Sequence, residues 1–134
     1  MKKPLLVLFL VTFAVFYSAC STGYTSAGGK DLEKYLAPES LYVLTEEPDP
    51  DIWIIDVRPE NAYTRGHIPT ARNFPSGEIT ERLDDLPKTQ YLIFYCETGG
   101  RAQAVINDLE EEGYTRMLNW GGYTRWPYAF ESSE

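Results

Sequence analysis

YLIFYCETGGRAQAV, Tyr91 to Val105, decides the fold class. Its first five residues are apolar without a break, as in a strand buried on both faces. Its last five open a helical stretch from Arg101 to Glu112, in which Ala102, Val105, Ile106 and Leu109 recur at i, i+3, i+4 and i+7. Gly113 stands where a cap belongs. A buried strand leading straight into an amphipathic helix is half of a parallel βαβ unit. Cys96 lies between them, at the carboxyl edge where open α/β sheets bind ligands. Glu97, Thr98, Gly99 and Gly100 complete the connection, and the glycines permit a loop whose N–H groups converge on one point. A β-branched residue at Gly100 should resist the positive φ that such a loop needs. The helix start adds unpaired donors and roughly half a positive charge, and Arg101 adds a full one. Such surroundings stabilise a thiolate, so Cys96 reads as a reactive group and not as an inert core thiol.

Working outward, the chain alternates strand and helix. Ile52 to Val57, IWIIDV, is a second buried strand. Pro59 to Gly66 offers a helix with proline in its first turn and glycine past its end. Short strands are expected around Ala71 to Phe74 and Arg116 to Asn119, and an amphipathic helix over Glu78 to Leu86. Nearer the start, Asp31 to Leu36 predicts a short helix that Pro38 stops, and Leu41 to Leu44 a candidate edge strand. The acidic, proline-broken run Thr45 to Asp51 is a solvated loop. Buried strands separated by helices predict an α/β fold, a mostly parallel central sheet with helices on both faces.

The first residues belong to another class. Lys2 and Lys3 precede an uncharged apolar stretch, Leu5 to Tyr17, too short for a spanning helix of ~20 residues but suited to a secretory signal. Tyr17-Ser18-Ala19-Cys20 then looks like a bacterial lipobox, although Tyr17 stands where an aliphatic residue is usual. The expectation is a signal peptide over residues 1–19, lipidation of Cys20, and export to the cell envelope, facing the periplasm or the outside. Residues 20–30 are small, polar and glycine-rich, a tether of roughly 17 Å for a folded domain over 31–134. With Cys20 lipidated, Cys96 is left as a lone thiol in an oxidising compartment, where structural cysteines come in pairs.

Composition narrows the function. With 134 residues, 12 basic against 20 acidic and a net charge of -8, the chain fits one domain and lacks the basic surface that nucleic acid requires. Two cysteines and one histidine argue against a structural zinc site.

Three blocks in order resemble the rhodaneses, the thiosulfate sulfurtransferase-like domains. They are DVRPENAYTRGHIPTARNFP (Asp56 to Pro75), YCETGGR (Tyr95 to Arg101) and LNWGGYTRWP (Leu118 to Pro127). The resemblance spans about Leu41 to Tyr128 and implies the three-layer rhodanese-like fold. It further implies a cysteine persulfide on Cys96, loaded by a small sulfur donor and unloaded by a thiol or other nucleophile, with neither metal nor organic cofactor. The backbone amides of Glu97, Thr98, Gly99, Gly100 and Arg101 would hold the sulfur's charge. Read by their charge alone, Arg58 and Arg65 either help to attract an anion or form ion pairs with Glu60 or Asp56. Related phosphatases carry five residues between Cys and Arg, whereas four intervene here, the sulfurtransferase length. Departures from the family's pattern are Glu97 directly after the nucleophile, Ala62 where an acid is frequent, and Thr70 where Gly is usual. A carboxylate at Glu97 disfavours a doubly charged donor such as thiosulfate. Two other readings stay open, a non-enzymatic binding module on the same fold and a thiol redox protein that uses a partner thiol.

Overall fold

A computed structural model of the chain describes residues 29–133. The expected signal peptide, Cys20 and nearly all of the expected tether lie outside the described residues. Four strands form one sheet in the order β2-β1-β3-β4: β1 Ile52–Asp56, β2 Arg72–Asn73, β3 Tyr91–Cys96 and β4 Met117–Gly122. Every pairing in it is parallel. The three α-helices are α1 Pro38–Glu46, α2 Glu60–Arg65 and α3 Gly100–Glu111.

Two cores follow from the alternation of side chains along the strands. Tyr91, Ile93 and Tyr95 of β3 face one layer, where they meet Ile52 and Ile54 of β1, Leu41 and Leu44 of α1, Trp120 and Trp126. Leu92, Phe94 and Cys96 face the other, against Ile55, Val57 and the Ala102, Val105, Ile106 and Leu109 stripe of α3. All six residues of β3 are buried, which is why the strand reads as one apolar run. Each large side chain so buried contributes about 1.5–3 kcal/mol before entropy is counted. The fold is the expected α/β sandwich, with helices on both faces of a parallel sheet.

Several elements differ from expectation. Leu41 to Leu44 is helix, not strand: it lies within α1, with Pro38 in the first turn where a missing N–H costs nothing. Leu41 and Leu44 are buried while Tyr42 and Val43 are exposed, an i, i+3 face and not a period of two. Pro38 therefore starts a helix as well as ending the 3-10 turn Glu33–Leu36. The expected helix over Glu78 to Leu86 is instead two 3-10 turns, Ile79–Glu81 and Leu83–Asp85. Ile79 and Leu86 anchor its ends, but Asp84 and Asp85 fall where a helix dipole disfavours them, and Pro87 prevents continuation. β4 runs past Asn119 to Gly122.

Thr70 carries φ +68°, which explains why glycine suits that position. A left-handed residue with a side chain costs roughly 1–2 kcal/mol, and glycine returns part of that through chain entropy. Thr70→Gly should therefore raise stability by about 0.5–1 kcal/mol. Calorimetry should show the melting midpoint rising by a few degrees, and a fall would mean that Thr70 makes a compensating contact.

Candidate active site

The site begins at the last residue of β3. Cys96 is 1% exposed, its side chain in the α3 layer, and the chain turns sharply after it. Gly99, with φ +96°, makes that turn and caps α3. Its N–H donates to Cys96 Sγ at 3.0 Å. The left-handed position is thus Gly99 and not Gly100, beside which a side chain would find only Thr98 Oγ1, 3.8 Å away. Glu97, Thr98, Gly100 and Arg101 are solvent-exposed around the sulfur, Arg101 in the first turn of α3.

What holds this loop is the end of β4. Between Phe94 and Tyr95 the β3–β4 register shifts, so that Phe94 faces Asn119 while Tyr95 faces Gly121. The bulge lets glycine backbone press on the loop. A Cβ at Gly99 would lie 3.0 Å from Gly121 Cα, and one at Gly122 would lie 2.5 Å from the Glu97 carbonyl oxygen. Asn119 ties the two together: its amide donates to the Gly99 carbonyl at 3.1 Å and to Gln103 Oε1 at 3.2 Å, and its oxygen accepts from Gly121 N–H at 3.0 Å. Asn119 was missed in the sequence, because nothing local marks an exchange between β4 and a loop twenty positions earlier.

A second network fixes the neighbouring wall. Asp56, fully buried at the end of β1, accepts from Arg58 Nε at 3.1 and 3.0 Å, and from Arg58 Nη2 at 2.6 Å. Nη2 also donates to the Gly66 carbonyl at 2.6 Å. Burial opposes the guanidinium's charge, but the hydrogen bonds and charge of Asp56 outweigh it and raise the pKa. The Tyr95 hydroxyl accepts from Ile68 N–H at 3.0 Å, and burial pushes its own ionisation far above the usual tyrosine range. His67 is buried, stacked on Tyr63, with Nδ1 2.9 Å from the Tyr63 carbonyl oxygen, a structural role. Arg58 is therefore mainly a brace for the Gly66-His67-Ile68 turn, with Nη1 left without a hydrogen bond among the described residues.

These parts meet at a cleft of about 310 Å³ lined by Arg58, Ala62, Arg65, Gly66, Glu97, Tyr123 and Phe130. The Tyr123 ring lies 4.5 Å from the Arg58 guanidinium and 5.6 Å from the Phe130 ring. Trp120 and Trp126 pack in the core. Glu97 and Arg58 are thus brought to one cleft, whereas Cys96, Thr98, Gly99, Gly100 and Arg101 stay outside its lining.

The family model for the rhodanese-like domain matches residues 37–128. The chain belongs to that family. This rhodanese-like chain is 32% identical over 80 residues to the putative sulfurtransferase YtwF of Bacillus subtilis, covering 60% of this chain and 78% of that protein. It is 29% identical over 93 residues to the thiosulfate sulfurtransferase GlpE of Pseudoalteromonas translucida, covering 69% and 86%. Among solved structures, a rhodanese-like domain protein from Staphylococcus aureus superposes with a TM-score of 0.63 at 27% identity, over 72% of this chain and 95% of that one. Rhodanese-type sulfur transfer is therefore the activity at family level. Residues 129–133, which supply Phe130, fall beyond the family match.

Proposed function

We propose that this domain is a sulfurtransferase in which Cys96 forms a persulfide. The Cys96 thiolate attacks the outer sulfur of a donor, the donor's S–S bond breaks, and its electron pair leaves with the departing sulfite or thiolate. An acceptor thiolate then takes the outer sulfur, and the electron pair of that bond returns to Cys96 Sγ. The observation that carries this reading is the Gly99 N–H pointing at Sγ from 3.0 Å, at a strand-to-helix loop. Such a donor, with the start of α3 behind it, stabilises sulfur anions without a general base. Glu97, Thr98, Gly99, Gly100 and Arg101 form the cradle, and Arg58 supports its far side. Incubation of the protein with several sulfur donors, followed by intact mass, tests the reading. A gain of one sulfur atom that Cys96→Ser cannot make is expected. No gain with any donor would favour a binding module.

We further propose that Cys20 is lipidated and anchors the domain at the cell envelope, on the strength of Ser18-Ala19-Cys20 following the apolar stretch. No helix among the described residues is long and apolar enough to cross a membrane. Cys20→Ser should move the protein from the membrane to the soluble fraction or block processing. Unchanged fractionation and mass would overturn the anchor.

A further inference from the structure

The cleft that Glu97, the residue after Cys96, helps to line carries side chains of opposite charge. Arg65 and Glu97 both line it, both are exposed, and neither forms an ion pair among the described residues. Arg58 lines it too, with its Nη1 uncommitted, and the charge of Glu97 acts on its guanidinium. A cleft meant for a small dianion would be positive throughout; here a carboxylate one residue from the nucleophile works against such a guest. Its size is also too large for one. At about 310 Å³ it has room for roughly ten waters, within the range of organic-ligand pockets.

Its outer wall is a feature of the chain's last residues. The strap after Tyr128 is fastened to the α2 side by paired backbone hydrogen bonds between His67 and Glu131, both 2.9 Å, and by Ser133 N–H to the Thr64 carbonyl, 2.9 Å. Trp126 Nε1 donates to the Ala129 carbonyl at 3.1 Å. These bonds hold Phe130 over Gly66 and beside Tyr123, so an aromatic wall closes a cleft lined by both cationic and anionic side chains.

We infer that the cleft selects an amphoteric organic sulfur compound, a thiol or persulfide carrying both an ammonium and a carboxylate as amino-acid thiols do. Arg65 takes the carboxylate and Glu97 the ammonium, while the strap's Phe130 covers the carbon skeleton. This inference rests on the persulfide reading of Cys96. In the unloading step the guest's thiolate attacks the outer sulfur of Cys96–S–S⁻. The new S–S bond forms on the guest, the old one breaks, and Cys96 is left as thiolate, with two negative charges on each side of the equation.

Four acceptors dissect the grip: cysteine (both charges), N-acetylcysteine (carboxylate only), cysteamine (ammonium only) and 2-mercaptoethanol (neither). Sulfur loss from the loaded full-length protein is followed by mass, and each rate is taken as variant over wild type, so that intrinsic thiol reactivity cancels. Arg65→Gln should slow cysteine and N-acetylcysteine about fivefold relative to the other two, the worth of one screened charge contact. Glu97→Gln should slow cysteine and cysteamine about fivefold relative to the other two. Phe130→Ala should raise KM for cysteine more than for 2-mercaptoethanol. Ratios that stay level across all four thiols would overturn the inference while leaving the persulfide intact. A protein that never loads sulfur would refute the persulfide reading instead. The grip is then read without turnover, by NMR titration of Cys96→Ser with cysteine and cysteamine, where absence of shifts at Arg65 and Glu97 overturns it.

Discussion

Cys96→Ser should reduce sulfur transfer to below about a thousandth of the wild-type rate, the scale on which loss of a nucleophile acts. A hydroxyl in the same place can accept the Gly99 N–H, so the fold should survive at a cost of about 1 kcal/mol or less. Cys96→Ala makes the useful contrast. It leaves that buried N–H without its partner and should cost about 1–3 kcal/mol. Donor-dependent turnover and chemical denaturation of the two variants separate chemistry from stability. Turnover near wild type in Cys96→Ser would remove Cys96 as the nucleophile.

Gly122→Ala should have the second-largest effect, although it adds one methyl group away from the reacting atom. The new Cβ would sit 2.5 Å from the Glu97 carbonyl oxygen and 3.2 Å from Thr98 Cα, both backbone, so the loop itself must move. A displacement approaching 1 Å can cost about a hundredfold in rate, and overpacking costs about 1–3 kcal/mol of stability. Gly77→Ala, with nothing within 4 Å of the added carbon, is the control and should leave kcat/KM unchanged. Wild-type kinetics in Gly122→Ala would show that β4 does not set the loop's position.

The sequence was most informative where one property repeats along the chain. β1 and β3 were legible because burial on both faces leaves an unbroken apolar run, and α3 because its stripe keeps the helical period. Cys96 followed from standing between the last two. Leu41 to Leu44 misled because four apolar residues fit either period, and only Pro38 at the first turn of α1 and the exposure of Tyr42 and Val43 distinguish them. Which of two adjacent glycines turns left-handed depends on the approach of β4, a contact made across the sheet. The same holds for Asn119 and Phe130, whose roles come from meeting residues distant in the chain. For Arg58 the sequence offers both an anion and the acids nearby as partners, and the structure gives it to Asp56, two residues away.

The depth of Cys96 has a consequence for its survival. At 1% exposure the resting sulfur offers almost nothing to a peroxide or a bulky disulfide, so progress up the ladder to sulfenic and sulfinic acids is sterically discouraged. On the persulfide reading, the outer sulfur stands about 2 Å beyond Sγ along the S–S bond. Oxidative damage to such a loaded form would fall first on an outer sulfur that reduction can strip away, leaving the cysteine whole.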